Sequence, residues 1–459
     1  MNDLRALLAT AANRAADYRQ NVHRRPVFPS GLDLDAMRTA LGELPTRSTD
    51  PAMVLDELAD EVEHALVGCT GPRYFGFVTG GVLDAATAAE ILATGWDQNA
   101  FDATSSPAAA VVELVAGEWL TRLLGLPESA SVGFTTGGQG ANTVCLAAAR
   151  HAVLDRVGWD VERDGLLGAP RIRVLAGEQR HATVDRALRL LGLGTAALEP
   201  VPTDEHGAID VGALERALAA GDAGPTIVCL QAGNVNSGAF DDFGAAISVA
   251  HQHNAWVHVD GAFGLWAAAS PSLRHLVDGV ERADSWATDG HKWLNVPYDC
   301  GYAFCAHPDA HRGATAHRAA YYSPGELRSP ADYVLEASRR ARGFATYAAL
   351  RQLGSSGVAE LIDRCCLLAK RFAEELSTVD GVDVVNEVVL NQVAVSFGDD
   401  TRTDRVIDAV QRSGVCWMGG TTWRGRRLMR ISVSNWTTTA EDVDASVAAI
   451  RDAIAEVSV

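Results

Sequence analysis

The sequence predicts an α/β fold: a mostly parallel central sheet covered by helices, followed by a smaller C-terminal α+β domain. Three observations predict it. Short apolar strands alternate with amphipathic helices from about residue 130 to 305, and such alternation builds parallel sheets buried on both faces. After about residue 345 the pattern changes to a helix, a long strand pair and a final helix. The chain has 459 residues, 47% hydrophobic and 21% charged, enough for a large core and two or three domains.

Taken in order, residues 1–65 form a helical segment that opens on "MNDLRALLATAANRAADYRQ". Charges run throughout it, so it is an amphipathic helix and not a signal peptide. A large domain spans 66–345. Within it, "AAAVVELVAGEWLTRLLGLP" is a helix stopped by Gly125 and Pro127. "SVGFTT", "RIRVLA", "PTIVCLQAG", "AWVHVD", "DSWAT" and "GYAFCA" are strands. Between them "ANTVCLAAARHAVLDRVGW", "HATVDRALRLLGL" and "FGAAISVAHQHN" are helices. In the small domain, 346–459, "GVDVVNEVVLNQVAVSF" and "RRLMRISVS" are strands, and "EDVDASVAAIRDAIAEV" is the last helix.

Charge narrows the function classes. A net charge of −19 argues against nucleic acid or an anionic membrane as main partner. Apolar runs are interrupted by charges, which excludes a transmembrane span. The eight cysteines have no CxxC spacing, so neither zinc nor disulfide work is expected, and reduced thiols in a cytoplasm are.

Three features fall at the carboxyl ends of predicted strands, where open α/β sheets bind ligands. "FTTGGQGAN", Phe134 to Asn142, joins a strand to a helix. Its glycines and free N–H groups suit a phosphate, and equally a plain strand-to-helix turn. Asp260 ends the apolar strand of "HVDGAFG". A carboxylate there needs a partner, either a protonated ring nitrogen or a structural ion pair. Lys292 stands between His291 and Trp293 in "DSWATDGHKWLNVPYDCG". A desolvated amine forms imines readily, whereas a lysine lying along Trp293 simply reaches water. An anion cradle, a carboxylate for a ring nitrogen and an imine-forming lysine together describe a pyridoxal phosphate site.

These residues, with "RYFGFVTGG", "SSPAAAVVELVAGEWLTRLLGLP", "RHATVDRA", "GNVNSGAFDD", "DYVLEASRRARGF", "LNQV" and "RISVSNW", resemble the group II pyridoxal-phosphate-dependent amino acid decarboxylases over about residues 65 to 450. That family has the aspartate-aminotransferase-like type I fold. The resemblance implies that Lys292 carries the coenzyme as a Schiff base. It implies that Asp260 keeps the pyridine nitrogen protonated, that His181 stacks on the ring and that Ala262 packs beneath it. Gly138, Gln139 and His291 match phosphate contacts, with Gln139 replacing a family serine or threonine. Val235 stands where a threonine often approaches the ring hydroxyl, and Asn234 or Asn236 is the replacement. Tyr333, in "SPADYVLEASRR", matches the tyrosine of a mobile catalytic loop that helps protonate Cα and reaches the partner subunit's site, and "TAHRAAYYSPGELRSPAD" is polar and Gly/Pro-bearing, as a lid would be. Phe77 and Phe101 match substrate-lining positions, and Arg430 is structural.

The resemblance therefore implies decarboxylation of an L-amino acid, aromatic or apolar, to an amine and CO2. It implies a homodimer with sites at the subunit interface and the N-terminal segment helping to cover that interface. An aminotransferase, an oxygen-using aldehyde synthase and a pyridoxal-phosphate-binding regulatory protein are the alternatives.

Overall fold

Seven strands form one sheet: β1 (Ser131–Thr135), β2 (Arg173–Gly177), β3 (Leu198–Val201), β4 (Thr226–Gln231), β5 (Trp256–Asp260), β6 (Ser285–Asp289) and β7 (Gly301–Cys305). Their spatial order is β1-β7-β6-β5-β4-β2-β3. The computed structural model describes residues 3–221, 224–316 and 328–458. β2 pairs in parallel with both β3 and β4, β4 with β5, and β5 with β6. β7 alone runs antiparallel, to β6 on one side and β1 on the other. Every residue of β1, β5, β6 and β7 is buried. That is why these strands read as short apolar runs without alternation.

β3 escapes the sequence pattern for a physical reason. It lies at the sheet edge, is only partly buried, and carries Pro200. Proline in a sheet is tolerated on edge strands. The helix Val211–Ala220, capped by the Asp210 side chain on Ala213 N, connects it to β4.

The chain divides into two compact units. The unit holding the seven-stranded sheet comprises residues 82–370 and 386–392; the other comprises 1–81, 371–385 and 393–459. The second of these contains β8 (Asp383–Val384), β9 (Gln392–Ser396), β10 (Gly419–Trp423) and β11 (Arg426–Ser432), in the order β10-β11-β9-β8. "GVDVVNEVVLNQVAVSF", read as one strand, is thus two residues of β8 and five of β9, separated by turns, whereas "RRLMRISVS" contains β11. β10 went unread because "GGTTW" carries no apolar alternation. No helix among the described residues is long and apolar enough to cross a membrane.

The larger unit is tied internally by a buried ion pair. Ser106 caps the helix Pro107–Leu123, its hydroxyl oxygen accepting from Ala109 N, and Pro107 opens the first turn. About two turns on, Glu113 faces inward and takes two 2.7 Å bonds from the Arg339 guanidinium. The two side chains are 2% and 1% exposed. Removing one partner strands the other charge without water. Glu113→Ala is therefore expected to lower unfolding free energy by about 3–5 kcal/mol, and the Glu113→Ala/Arg339→Met pair by less. Denaturant unfolding measures both; equal losses would contradict the coupling.

Candidate active site

Strand direction assembles the site. β4, β5 and β6 run together, and β1 runs with them because β7 opposes both β1 and β6. Their carboxyl ends therefore share one edge of the sheet. That edge presents Gly137 and Gly138 after β1, Asp260 at the end of β5, and Asp289 at the end of β6, with Lys292 three residues beyond.

After β1 the chain turns into helix α1 (Gly138–Asp155), with Gly137 as its N-cap and no side chain capping it. A side chain at Gly137 has no room: a Cβ there would lie 2.7 Å from His291 Cε1. The Gly138 N–H points instead at a carboxylate oxygen of Asp289. Gln139 turns its amide away, toward Thr183 O at 3.3 Å and Thr143 Oγ1 at 3.4 Å. At Gln139 only the backbone N–H remains to serve an anion.

Lys292 is not wrapped in apolar groups alone. Its ammonium lies 3.0 Å from Asp289 Oδ2 and 5.9 Å from the centre of the Phe263 ring. The side chain keeps 21% of its surface exposed. His291 Nδ1 accepts from Cys300 N at 3.2 Å, which leaves Nε2, 3.4 Å from Asp289 Oδ1, as the protonated nitrogen. Its ring packs on Tyr298 at 4.4 Å. Burial pushes the His291 pKa below its ordinary value, against the pull of Asp289. Asp289, 2% exposed, is thus the common partner of the cradle and of both basic side chains.

Asp260 is fixed by a second network. Asn142, four residues into α1 from Gly138 and so on the same helix face, donates to Asp260 Oδ2 at 3.1 Å. Thr183 Oγ1 donates to the same oxygen at 3.3 Å, and Ala262 N to Oδ1 at 3.3 Å. Behind Asn142 stands His258, fully buried, with Nε2 2.9 Å from Asn142 Oδ1. Burial lowers its pKa to about 4, so the ring is neutral. The proton order follows from the donors. Trp256 N–H donates to Ser285 Oγ, which donates to His258 Nδ1; His258 Nε2–H donates to Asn142, whose amide donates to Asp260. The chain fixes the direction in which the carboxylate faces.

His181 is the N-cap of helix α2 (Ala182–Leu190), accepting from Thr183 N at Nδ1. Its ring stays exposed. Thr183 Oγ1 lies 2.9 Å from His181 Nδ1 and 3.3 Å from Asp260, so one hydroxyl spans the two. Both line one narrow cleft with Gln231. Ala262 is half-buried beside them, and its carbonyl accepts from Asp289 N at 2.9 Å.

Other expectations fare differently. Tyr333 does not join this cluster. It ends a short turn of helix, Pro330–Tyr333, and is 8% exposed. Its ring lies 3.7 Å from the Arg328 guanidinium carbon and 5.1 Å from the His311 ring. His311 Nε2 lies 3.0 Å from its carbonyl. Gly133 allows that approach, since a Cβ there would overlap the Tyr333 carbonyl. Within its own chain Tyr333 thus lies beside the middle of β1. Residues 317–327 of the expected lid lie outside the described residues.

Asn234 spends its amide on its own turn, accepting from Asn236 N and Ser237 N and donating to Gln179 O. Val235 is half-buried next to it. Phe77 belongs to the smaller-sheet unit, where it is 65% exposed, at φ 54°, with its ring 5.4 Å from Trp417. Phe101 belongs to the other unit, half-buried, its carbonyl accepting from Ala331 N at 3.0 Å. Arg430 lies in β11, where burial lowers its pKa.

Sequence reasoning missed Asp289, Asn142 and Thr183. Each lay inside a quoted motif, and helical spacing of four from Gly138 was the available signal for Asn142. The donor set fits a phosphorylated heterocyclic aldehyde: a glycine helix start for an anion, its first N–H held by Asp289, a primary amine, and a carboxylate oriented by neutral donors.

Comparison with known proteins gives the same reading. Residues 35–397 match the pyridoxal-dependent decarboxylase conserved domain. Tryptophan decarboxylase 1 of Oryza sativa subsp. japonica is 31% identical over 472 aligned positions, covering 95% of this chain and 90% of that protein. An aromatic-L-amino-acid decarboxylase of Bacillus atrophaeus is 26% identical, covering 100% of this chain and 96% of its own. The crystal structure of Oryza sativa TDC with PLP and tryptamine superposes with a TM-score of 0.92 at 28% identity, covering 99% of this chain and 98% of that one.

The Asn142 bridge is directly testable. Asn142→Leu leaves the His258 N–H unpaired inside the protein and removes one of the two donors to Asp260 Oδ2, which is expected to cost about 1–3 kcal/mol of stability. Chemical denaturation reads the loss, and an unchanged midpoint would refute the bridge.

Proposed function

The chain belongs to the pyridoxal-dependent decarboxylases and is a pyridoxal-phosphate-dependent amino acid carboxy-lyase; from there we propose that it converts an aromatic L-amino acid to its amine and CO2. The observation that carries this reading is the juxtaposition at one sheet edge of Lys292, the Gly138 helix start and the braced Asp260. The side-chain preference is supported by relatives named as tryptophan, tyrosine and aromatic-L-amino-acid decarboxylases.

In this reading Lys292 holds the coenzyme aldehyde carbon, and the backbone of Gly138 and Gln139 with His291 holds its phosphate. His181 covers one ring face and Ala262 the other. Phe101 contacts the substrate side chain. Bound there, the coenzyme supplies an electron sink for the pair left when the carboxylate leaves as CO2. Asp260 keeps a proton on the ring nitrogen, and the His258–Asn142 chain keeps Asp260 aimed at it. His181 excludes water from its face, with its imidazole steadied by Thr183. Tyr333, packed on His311 and Arg328 in its own chain, is the acid that returns a proton to the substrate Cα across the subunit interface.

The homodimer belongs to the same proposal. Leu4, Leu8, Leu34, Leu41, Met53, Val54 and Leu58 of the N-terminal helices are exposed at 49–66%, and a run of apolar side chains in water needs a cover. Light scattering is expected to give twice the 48.6 kDa chain mass; a monomer would refute it. A cytoplasmic location rests on eight unpaired cysteines, seven of them buried, and titration of fewer than eight thiols in the denatured native protein would oppose it.

The function itself is tested by product analysis with aromatic, acidic and basic L-amino acids. The expected products are CO2 and an aromatic amine, both lost in Lys292→Ala together with the near-visible absorbance of the lysine-bound coenzyme. Keto acid without CO2 would mean amino transfer, and aldehyde with ammonia and peroxide would mean an oxygen-using synthase.

A further inference from the structure

A buried acid sits where the coenzyme phosphate is to bind. Asp289 is 2% exposed, and one of its oxygens takes the Gly138 N–H, the first free donor of helix α1. The carboxylate faces the two basic side chains of its own loop, Lys292 at 3.0 Å and His291 at 3.4 Å. Its position is rigid. The Asp289 backbone N–H donates to Ala262 O at 2.9 Å, and its carbonyl accepts from the Trp266 indole at 3.0 Å. A Cβ at Gly138 would lie 2.8 Å from Asp289 Oδ2, so the carboxylate and the helix start are in van der Waals contact.

We propose that Asp289 is an internal anion that competes with the coenzyme phosphate for the Gly138 donor and thereby sets the affinity for the phosphorylated coenzyme. The inference rests on the assignment of Gly138 and Lys292 in the preceding section. Two anions cannot share one N–H donor without repulsion. At hydrogen-bonding range, in the effective dielectric of a partly buried site, that repulsion moves a dissociation constant by about tenfold or more. The compensating charge is also reduced by binding. Lys292, the nearer cation to Asp289, is the group that must engage the aldehyde, which leaves His291 as the remaining partner. A neutral side chain of the same shape removes the charge. It keeps an oxygen for Gly138 N–H and can turn its amide N–H toward the phosphate.

The test uses two probes that differ only in the phosphate. Coenzyme-stripped wild type and Asp289→Asn are titrated with pyridoxal 5'-phosphate and, separately, with pyridoxal, following near-visible absorbance. Asp289→Asn is expected to lower the dissociation constant of pyridoxal phosphate by about tenfold or more and to leave that of pyridoxal unchanged. Equal changes for both probes would mean that Asp289 acts through Lys292 and not on the phosphate, and would overturn the inference. So would unchanged or weaker binding of pyridoxal phosphate. Asp289→Ser, neutral and shorter, is judged by the same criteria if the asparagine variant does not fold. Absence of the absorbance band in wild type with either probe would instead defeat the assignment of Lys292, a distinct failure.

Discussion

A carboxylate at the end of a core strand is tolerated only if its surroundings bind it, and Asp260 is the constraint around which this fold is arranged. β5 is buried along its whole length and flanked by β4 and β6. Its last residue therefore cannot reach bulk water freely. The chain answers with three donors, from Asn142, Thr183 and Ala262, drawn from α1, the start of α2 and the turn after β5. Three separately folded elements thus meet at one side chain. Behind Asn142, a neutral His258 and the Ser285 and Trp256 donors give the network a single proton order. Such a network orients an acid without neutralising it, which is what an acid facing a ring nitrogen requires.

A separate charge cluster lies at the adjoining strand end. Asp289 collects the Gly138 N–H, His291 and Lys292. The two acids have opposite surroundings. Asp260 is held by neutral donors, whereas Asp289 is held by basic side chains and a helix start. That difference underlies the separate roles proposed for them: Asp260 for the heterocycle, and Asp289 balancing the amine and the anion cradle.

Much of this was legible in the sequence, for identifiable reasons. Fully buried strands leave continuous apolar runs, so β1, β2, β4, β5, β6 and β7 were readable, and Asp260 and Lys292 stood out as polar ends to apolar segments. β3 and β10 were not, because an edge strand with proline and a strand of glycine and threonine lack that signature. Asp289 was hidden by its proximity to Lys292: a motif read for its lysine conceals the acid three residues before it. Motif matching likewise identified Tyr333 by its neighbours in sequence. Its location depends on His311, Arg328 and the missing side chain at Gly133, none of which lies within the motif. Contacts between distant segments are what a single sequence conceals.

The central claim is that one ring is held between Lys292 and Asp260. A crystal structure of the protein grown with pyridoxal phosphate tests it most directly. Continuous density is expected from Lys292 Nζ to the coenzyme, with a carboxylate oxygen of Asp260 at hydrogen-bonding distance from the ring nitrogen. Coenzyme bound elsewhere, or a ring nitrogen facing any group other than Asp260, would contradict it.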